Sequence, residues 1–391
     1  MNNVLAEIKE FERDLIVIRR DIHKHPETAF EEHRTSLLVA DLLTEWGLEV
    51  HRGLAHTGVV GTLVGTSPGR TIGLRADLDA LDIEERSQCE HKSVHEGKMH
   101  ACGHDGHTAM LLGAVRYFSL NRDFPGTIHF IFQPAEEGLG GGRVMVEEGL
   151  FKRFPCDMVF GMHNMPGIAA GNFAICPGPM MAASDTWTVT FFGSGGHGSM
   201  PHLATDATLA GASFMTSIQS IVSRNVAPHD SAVLSVGYMH GGNYNSANVI
   251  PSSVVVRGTA RSFLPETRDL LEKRMAEVAE ACAMANGCTV EFDYHRRYPS
   301  VINAPAETAL AVRAATETVG EERVNPELKP LTGSEDFSFM LKEVPGAYIL
   351  IGNGREDGYC ANVHTPNYDF NDSILATGSA YWVNLVKVAN S

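Results

Sequence analysis

Positive charge is scarce in this sequence, and long hydrophobic runs are missing. Lys and Arg together number 31 against 47 Asp and Glu, a net charge of -16. That balance argues against nucleic acid or an anionic membrane surface as a partner. No apolar run approaches the ~18 residues of a membrane span, and the first residues include acids where a signal peptide would be basic and then apolar. We therefore expect a soluble, cytoplasmic protein.

Cysteine is sparse as well, and its pattern excludes the usual cysteine scaffolds. The seven cysteines are odd in number and scattered, and no two of them form a C-x-x-C pair. A disulfide framework or a structural zinc ribbon would need such pairing, so a reducing compartment fits best. The length of 391 residues predicts two domains.

Strand-like and helical runs alternate along the first 183 residues. An amphipathic helix is predicted over 5–22 from the spacing of its apolar residues. The following runs predict strands at 59–65, 71–77, 127–133 and 157–163, with helices at 108–118 and 141–151. Such alternation predicts an α/β domain, a sheet flanked by helices, with functional loops at the strand ends.

The pattern changes near residue 184 and returns to the first style near residue 299. Between them the order is β-α-β-β-α-β, which is ferredoxin-like. Strands are predicted at 186–192, 232–239, 253–262 and 288–295, and helices at 207–222 and 267–285. We therefore predict one domain, formed by 1–183 and 299–391, interrupted by a second domain at 184–298.

The stretch HACGHDGHTAML, residues 100–111, holds a cysteine and three histidines. A lone Cys is most often a small buried hydrophobe, and a lone His a hydrogen-bonded loop residue. Cys102 and His104 together, beside Asp105 and His107, favour metal ligation instead. A cysteine nucleophile with a histidine base is the competing chemical interpretation.

Two adjacent carboxylates, Glu136 and Glu137, follow a predicted buried strand in FQPAEEGLGGG. Burying them is costly unless a positive group meets them, and a metal ion would supply that charge. One glutamate could then ligate the metal while its neighbour acts as general base. An acidic helix N-terminus is the alternative interpretation.

Further candidate ligands stand at other predicted strand ends and loops. His163 ends a predicted strand, and His364 lies in a loop near the C-terminus. Asp77 or Asp79 could orient a ligand histidine, although Asp79 could equally cap a turn. One thiolate, three imidazoles and two carboxylates suffice for two ions with open positions, and such mixed donors suit Zn, Mn, Co or Ni.

The interrupting domain carries a separate set of polar residues. His197 lies in a glycine-flanked turn, Asn248 in NYNSANVIP, and Arg261 in VRGTARSF. They could be ordinary turn and strand-end residues. They could also form a recognition patch in which the arginine fork binds a substrate carboxylate. Spacing alone leaves both interpretations open.

The chain resembles the M20 metallopeptidases of the aminoacylase and hippurate hydrolase branch, relatives of the plant auxin-conjugate amidohydrolases. The resemblance runs nearly end to end, through RRDIHKHPETAFEE, GLRADLDAL, MHACGHDGHTAMLLGA, FQPAEEGLGGG, GMHNMPG, GSGGHGSMPH, NVIPSSVVVRGTARSF, TGSEDFSFM and HTPNYDF. It implies Glu136 as the catalytic general base and Asp77 as its supporting aspartate. It also implies metal ligands at Cys102, His104, Glu137, His163 and His364.

The resemblance further implies a two-metal catalytic domain with a ferredoxin-like lid that dimerises. His197 would be an oxyanion donor, in cis or in trans, while Asn248 and Arg261 would bind the substrate carboxylate. This chain has Arg75-Ala-Asp77 where other M20 branches have His-x-Asp. The Cys102 thiolate would then stand where those branches use a bridging aspartate.

These expectations combine into a metal-dependent amidohydrolase that cleaves N-acyl amino acids of the hippurate kind. A dipeptidase or aminopeptidase on the same scaffold is the nearest alternative. A non-catalytic metal-containing binding protein would need no general base, so Glu136 argues against it. A Cys102–His104 cysteine hydrolase would keep its activity in the presence of chelators.

Overall fold

The computed structural model describes residues 3–354 and 361–391, so Cys360 lies outside the described residues. The chain divides into two compact units. The larger unit holds Met1–Met180, Ile302–Lys329 and Asp336–Ser391, and the smaller unit holds Met181–Val301 and Pro330–Glu335. None of the helices in the described part of the chain has the length and apolar character that crossing a bilayer requires.

The helices follow one another along both units. In chain order they are α1 (Asn3–Lys9), α2 (Glu12–Lys24), α3 (His33–Glu45), α4 (His104–Leu120), α5 (Gly141–Glu147), α6 (Leu150–Arg153), α7 (Ala207–Ser217), α8 (Gln219–Arg224), α9 (Pro265–Ala285), α10 (Pro305–Val319), α11 (Ser338–Glu343) and α12 (Leu375–Ala389).

The strands form the sheets of the two units. In chain order they are β1 (Glu49–Leu54), β2 (Gly58–Val64), β3 (Ser67–Asp77), β4 (Pro125–Gln133), β5 (Met158–Met165), β6 (Phe173–Ala174), β7 (Gly178–Met181), β8 (Ala183–Phe192), β9 (Gly196–His197), β10 (Ala232–Gly241), β11 (Val249–Ile250), β12 (Ser253–Ser262), β13 (Thr289–Tyr298), β14 (Val301–Asn303), β15 (Val324–Asn325) and β16 (Gly346–Gly352).

The larger unit is built on a mixed sheet with the strand order β1-β2-β4-β3-β5-β16-β6-β15. Its centre is parallel, because β3 pairs in parallel with β4 and β5, and β5 pairs in parallel with β16. The carboxyl ends of these four strands therefore meet at one edge of the sheet, where α/β proteins place their sites. The predicted α/β class is confirmed.

The first predicted helix is wrong in its continuity. The chain turns at Phe11 between α1 and α2, where the Phe11 N–H donates to the Ile8 carbonyl over 3.1 Å. α1 packs mainly against α12, and α2 packs mainly against α4. The break therefore lets each helix direct its apolar side toward its own main partner.

The smaller unit has a four-stranded antiparallel sheet in the order β10-β12-β8-β13. With α7 and α9 packed on this sheet, the elements follow in the predicted β-α-β-β-α-β order. Its core is apolar and includes Trp187, Phe191, Phe214, Leu271 and Met275. The predicted helix over 207–222 is divided at the buried Ile218 into α7 and α8.

The smaller unit also includes a short return of the chain that the sequence pattern does not predict. The Ala182 N–H donates to the Leu331 and Gly333 carbonyls over 3.1 and 2.9 Å. These bonds attach Pro330–Glu335 to the start of β8, although the segment is distant in sequence. So short a stretch shows no periodicity, and only the tertiary pairing assigns it to this unit.

Candidate metal centre

The predicted site residues of the larger unit lie at the edge of the sheet where the parallel strands end. Asp77 is the last residue of β3, β4 ends three residues before Glu136, and His163 lies within β5. Cys102 lies in the segment before α4, and His104 is the first residue of that helix. The structure thus brings together all five residues predicted as metal ligands, since His364 joins them from the C-terminal region.

Two tight backbone positions shape this edge. Gly103 has φ +92°, and a Cβ there would collide with the Asn164 amide and the Tyr368 hydroxyl. Ala135 has φ +54°, a left-handed conformation that is strained for a residue with a Cβ. A carboxylate oxygen of the buried Glu32 accepts the Ala135 N–H over 2.9 Å, which holds the turn that presents Glu136 and Glu137.

The Cys102 sulfur is at the centre of the donor cluster. Its Sγ lies 3.3 Å from Nε2 of His163 and 3.3 Å from Nε2 of His364. Nε2 of His364 lies 3.0 Å from Oε1 of Glu137. The donor atoms of Cys102, His104 and His163 lie within 4.8 Å of one another, and so do those of Cys102, Glu137 and His364. Cys102 therefore belongs to two adjacent sets of three donors.

Two buried donor atoms in this cluster make no hydrogen bond within the described residues. They are Nε2 of His104 and Oε1 of Glu137. Buried polar atoms nearly always have a hydrogen-bond partner, and these two face other donor atoms of the cluster instead, since Oε1 of Glu137 lies 3.0 Å from Nε2 of His364. That arrangement fits a metal ion. Sulfur, imidazole and carboxylate donors together fit a divalent transition metal.

Asp79 connects two of these ligands. Nδ1 of His104 lies 2.8 Å from the Asp79 carbonyl oxygen and 3.2 Å from its Oδ1. Oδ2 of Asp79 accepts the Glu137 N–H over 2.9 Å. Such bonds orient a ligand imidazole and set its tautomer. The sequence left Asp79 between this role and a turn cap, and its contacts favour the orienting role.

Asp77 makes its short hydrogen bond with His107 and not with the predicted ligand His104. Its Oδ1 lies 2.6 Å from Nδ1 of His107, whereas its Oδ2 is 3.8 Å from Nε2 of His104. Nε2 of His107 accepts the Asn164 N–H over 2.9 Å, and the Asn164 amide donates to the Cys102 carbonyl over 2.6 Å. Asn164 was not among the predicted site residues. His107, which the sequence indicated only as a neighbour of Cys102 and His104, lies three residues after His104 on the same helix face and bonds Asp77.

Arg75 stands on β3 where other M20 branches were expected to have a metal histidine. Its guanidinium binds Oδ2 of Asp77 over 2.7 Å, Oδ1 of Asp336 over 3.0 Å and Oε1 of Gln133 over 2.8 Å. Arg75 and these three residues are all buried. The positive charge of Arg75 therefore compensates the buried Asp77 and Asp336 carboxylates next to the metal-ligand candidates.

Burial and charge oppose each other in the titration of this cluster. Burial alone would raise the pKa of Asp77, but His104, Arg75 and His107 hold it well below its usual value. Burial alone would lower the pKa of His104, but Asp77 and Asp79 raise it to about 10. Burial, followed by nearby carboxylates, raises the pKa of the Cys102 thiol well above its ordinary value. Burial and the neighbouring His107 lower the pKa of His163.

Glu136 lies beside these donors and is itself buried. Its relative exposure is 7%, and one of its oxygens lies within 4.8 Å of donor atoms of His104 and Glu137. A cavity of about 510 Å³ borders Glu137 and is lined by both apolar and charged side chains, including Leu81, Leu139 and Lys98. Ligand pockets of small molecules usually have volumes of roughly 300–1,000 Å³.

The remaining predicted residues belong to the smaller unit. His197 is exposed, its Nδ1 lies 2.9 Å from Oγ of Ser199, and it pairs with Val249 between β9 and β11. The Asn248 carbonyl accepts the Gly198 N–H over 2.7 Å, so His197 and Asn248 share one turn region. Arg261 lies on β12 and donates to the Ala260 carbonyl over 2.9 Å. The substrate roles of these residues stay predictions.

Comparison with known proteins now identifies the family. The family model described as Peptidase family M20/M25/M40 matches residues 73–388. The hippurate hydrolase of Campylobacter jejuni subsp. jejuni is 39% identical over 98% of this chain and 98% of its own length. An IAA-amino acid hydrolase (ILR1-like 4) of Arabidopsis thaliana is 37% identical over 96% of this chain and 86% of its own length.

A solved structure adds the metal chemistry to this comparison. A dinuclear metal binding peptidase of the M20 family from Bacillus subtilis superimposes with a TM-score of 0.84 and 32% identity, over 97% of this chain and 98% of its own. This likeness and the donor cluster support binding of divalent metal, and the relatives support a small-molecule amide as substrate. The chain belongs to peptidase family M20/M25/M40 and is a hydrolase that acts on amide bonds.

Proposed function

We propose that this protein hydrolyses N-acyl amino acids of the hippurate kind to a carboxylic acid and a free amino acid. The observation that carries the proposal is the buried carboxylate of Glu136 beside a cluster of sulfur, imidazole and carboxylate donors. The likeness to a hippurate hydrolase and to an IAA-amino acid hydrolase supports this substrate class. We also propose that the enzyme is cytoplasmic, which the scattered, unpaired cysteine pattern supports.

Five side chains would hold two divalent ions, which could be Zn, Mn, Co or Ni. They are Cys102, His104, Glu137, His163 and His364, with Cys102 shared between the two sets of donors. When bound, the ions acidify the attacking water and stabilise negative charge as the amide carbon is attacked. Asp79 keeps His104 and the Glu137 backbone in place for this ligation.

Glu136 would move the proton. It accepts a proton from the water that attacks the acyl carbon and then delivers it to the departing amine nitrogen. Such a general base typically contributes ~10²–10⁴-fold in rate. Glu136 is largely shielded from bulk water by burial. The two adjacent carboxylates would have different tasks, since Glu136 would transfer the proton and Glu137 would bind the metal.

The smaller unit would supply recognition. Arg261 and Asn248 would bind the substrate carboxylate and orient the amide, since a guanidinium fork matches a carboxylate. His197 would donate to the oxyanion, from the same chain or from the partner in a homodimer. The unit, which the sequence predicted as 184–298, would thereby serve as lid and dimerisation domain.

Glu136→Gln tests the proposal directly. We expect kcat with hippurate to fall by about 10²–10⁴-fold while the metal content stays unchanged, because the amide cannot accept the proton. Glu147→Gln, at an exposed side chain on α5, is the matched control and should leave both quantities unchanged. Near-full activity of the metal-loaded Glu136→Gln protein would contradict the role of Glu136. Faster cleavage of glycylglycine than of hippurate would instead indicate a dipeptidase.

A further inference from the structure

A second cluster of donor side chains lies in the larger unit and shares no residue with the ligands described above. It comprises His23 on α2, Cys89 and His91 in the segment before α4, and Asp369 near the C-terminus. One donor atom from each of these four residues lies within 4.8 Å of the other three. The proposed hydrolysis assigns no task to any of them.

The donor set and its spacing suit a tetrahedral transition metal. Two imidazoles, one thiol and one carboxylate are ligands typical of zinc, with bonds of about 2.0–2.3 Å. Tetrahedral bonds of that length place the donor atoms roughly 3.3–3.8 Å apart, so modest side-chain adjustment would close the site. Nε2 of His91 already lies 3.0 Å from Oδ1 of Asp369. The His23 and His91 rings meet edge to face at 84°, with centroids 5.2 Å apart.

Both imidazoles of the site are buried, Cys89 and Asp369 are partly exposed, and one imidazole nitrogen makes no hydrogen bond among the described residues. His23 is fully buried and His91 is 8% exposed. Nδ1 of His91 is buried and has no hydrogen-bond partner among the described residues. The Glu85 carboxylate adds a further oxygen, because its Oε1 lies 3.7 Å from Sγ of Cys89 and 3.4 Å from Nε2 of His23.

Charge balance in this region tolerates a divalent cation. Both His23 nitrogens face carboxylates, since Nδ1 lies 2.8 Å from Oδ2 of Asp105 and Nε2 faces Glu85, so the metal-free ring is an imidazolium. The ion pairs around the cluster hold four acidic and three cationic groups: Glu85, Asp105, Asp369, Asp372, Arg19, Arg20 and His23. A divalent ion that displaces one proton from His23 and one from Cys89 leaves the net charge unchanged.

We propose that His23, Cys89, His91 and Asp369 form an additional site for a divalent transition metal of the zinc type. The competing arrangement is the metal-free network in which His23 stays protonated between Asp105 and Glu85. The additional ion would tie α2 to the start of α4, because His23 bonds Asp105, which follows the proposed catalytic ligand His104. Its task would therefore be to brace the catalytic edge, not to take part in hydrolysis.

Cobalt spectroscopy of the full-length Cys102→Ser protein is the test. The protein is stripped with a chelator and loaded with Co²⁺, so that any thiolate-to-cobalt band in the near ultraviolet must come from a cysteine other than Cys102. We expect the band to persist in Cys102→Ser and to vanish in Cys102→Ser/Cys89→Ser. Absence of the band from folded, cobalt-loaded Cys102→Ser would overturn the proposal, and so would its persistence in the double variant.

Metal content gives a second, independent measurement. Cys89→Ser should bind one zinc ion per chain fewer than the unsubstituted protein, while kcat with hippurate falls less than tenfold. Cys156→Ser is the matched control, because this half-buried thiol faces the Phe154 carbonyl at 3.5 Å. Equal zinc content in Cys89→Ser and in the unsubstituted protein would overturn the proposal. Since this readout does not depend on hydrolysis, a failure of the proposed substrate class would leave it unaffected.

Discussion

The two units of this protein bury different kinds of side chain. The larger unit buries a chain of charged and polar side chains at the catalytic edge. Arg75 pairs with Asp77 and Asp336, and Asp77 also contacts His107. The smaller unit instead has an apolar core around Trp187, Phe191 and Phe214, and its buried Asp185 carboxylate is held by Arg268 and Tyr294.

This difference separates stability from chemistry. Apolar burial stabilises at about 25 cal/mol per Å² and requires no partner of definite geometry. Buried charges stabilise little in net terms, but removing one partner leaves another uncompensated, so they fix a geometry. The larger unit therefore buries charges where donor atoms must be held in a definite geometry. The smaller unit relies mainly on apolar burial.

The largest expected effect is loss of the Arg75 charge. Arg75→Met should lower the free energy of unfolding by about 3–5 kcal/mol, because Asp77 and Asp336 would then be buried without their cation. Urea titration measures the change. Arg313→Met, which removes an exposed pair with Glu317, should cost less than about 1 kcal/mol. Equal losses in the two variants would contradict the contrast.

The second largest expected effect is the loss of stability when a substitution creates a cavity in the core of the smaller unit. Leu271→Ala removes a fully buried side chain of the apolar core and should cost about 2–5 kcal/mol. Differential scanning calorimetry of the intact chain measures it. Leu209→Ala, at a side chain on α7 that is 57% exposed, is the matched control and should change stability by about 0.5 kcal/mol or less.

Asp79→Asn should weaken metal binding without removing a ligand. We expect a loss of about 10–100-fold in affinity, because the amide removes the negative charge beside His104 and leaves one oxygen where two served His104 and the Glu137 N–H. Competition with a chromophoric chelator reports the affinity. Asp41→Asn, on the exposed face of α3, should bind metal as the unsubstituted protein does. An unchanged affinity in Asp79→Asn would show that the orienting contacts are dispensable.

The smallest expected effect is the change of metal affinity with pH. Since the pKa of Cys102 is raised, the metal-free thiol is protonated near neutral pH, and binding of the metal releases its proton. Each proton released strengthens binding about tenfold per unit rise in pH. Cys102→Ser should lessen this slope by about one proton, as calorimetric titrations at several pH values would measure. A slope that Cys102→Ser leaves unchanged would mean that the thiol is not a ligand.

Much of the fold was predictable because it is encoded locally. Alternating and helical apolar patterns predicted the α/β class and the β-α-β-β-α-β order of the smaller unit. The turn at Phe11, the division at Ile218 and the return at 330–335 were not predicted. The return at 330–335 bonds the start of β8, and α1 packs mainly against α12, both distant in sequence, so local periodicity carries no record of these partners.

The sequence by itself determined which donors were available, since the side chains of the five predicted ligands supply sulfur, imidazole and carboxylate donors. They are Cys102, His104, Glu137, His163 and His364. Only the tertiary structure decided how they are held. In the folded chain Asp77 bonds His107, and Asp79 bonds His104. The fold also brings the donor atoms of His23, Cys89 and His91 close together. The reason is physical: residue type decides whether an atom can donate or ligate, whereas hydrogen bonds and ligation depend on distances of a few ångströms that only packing sets.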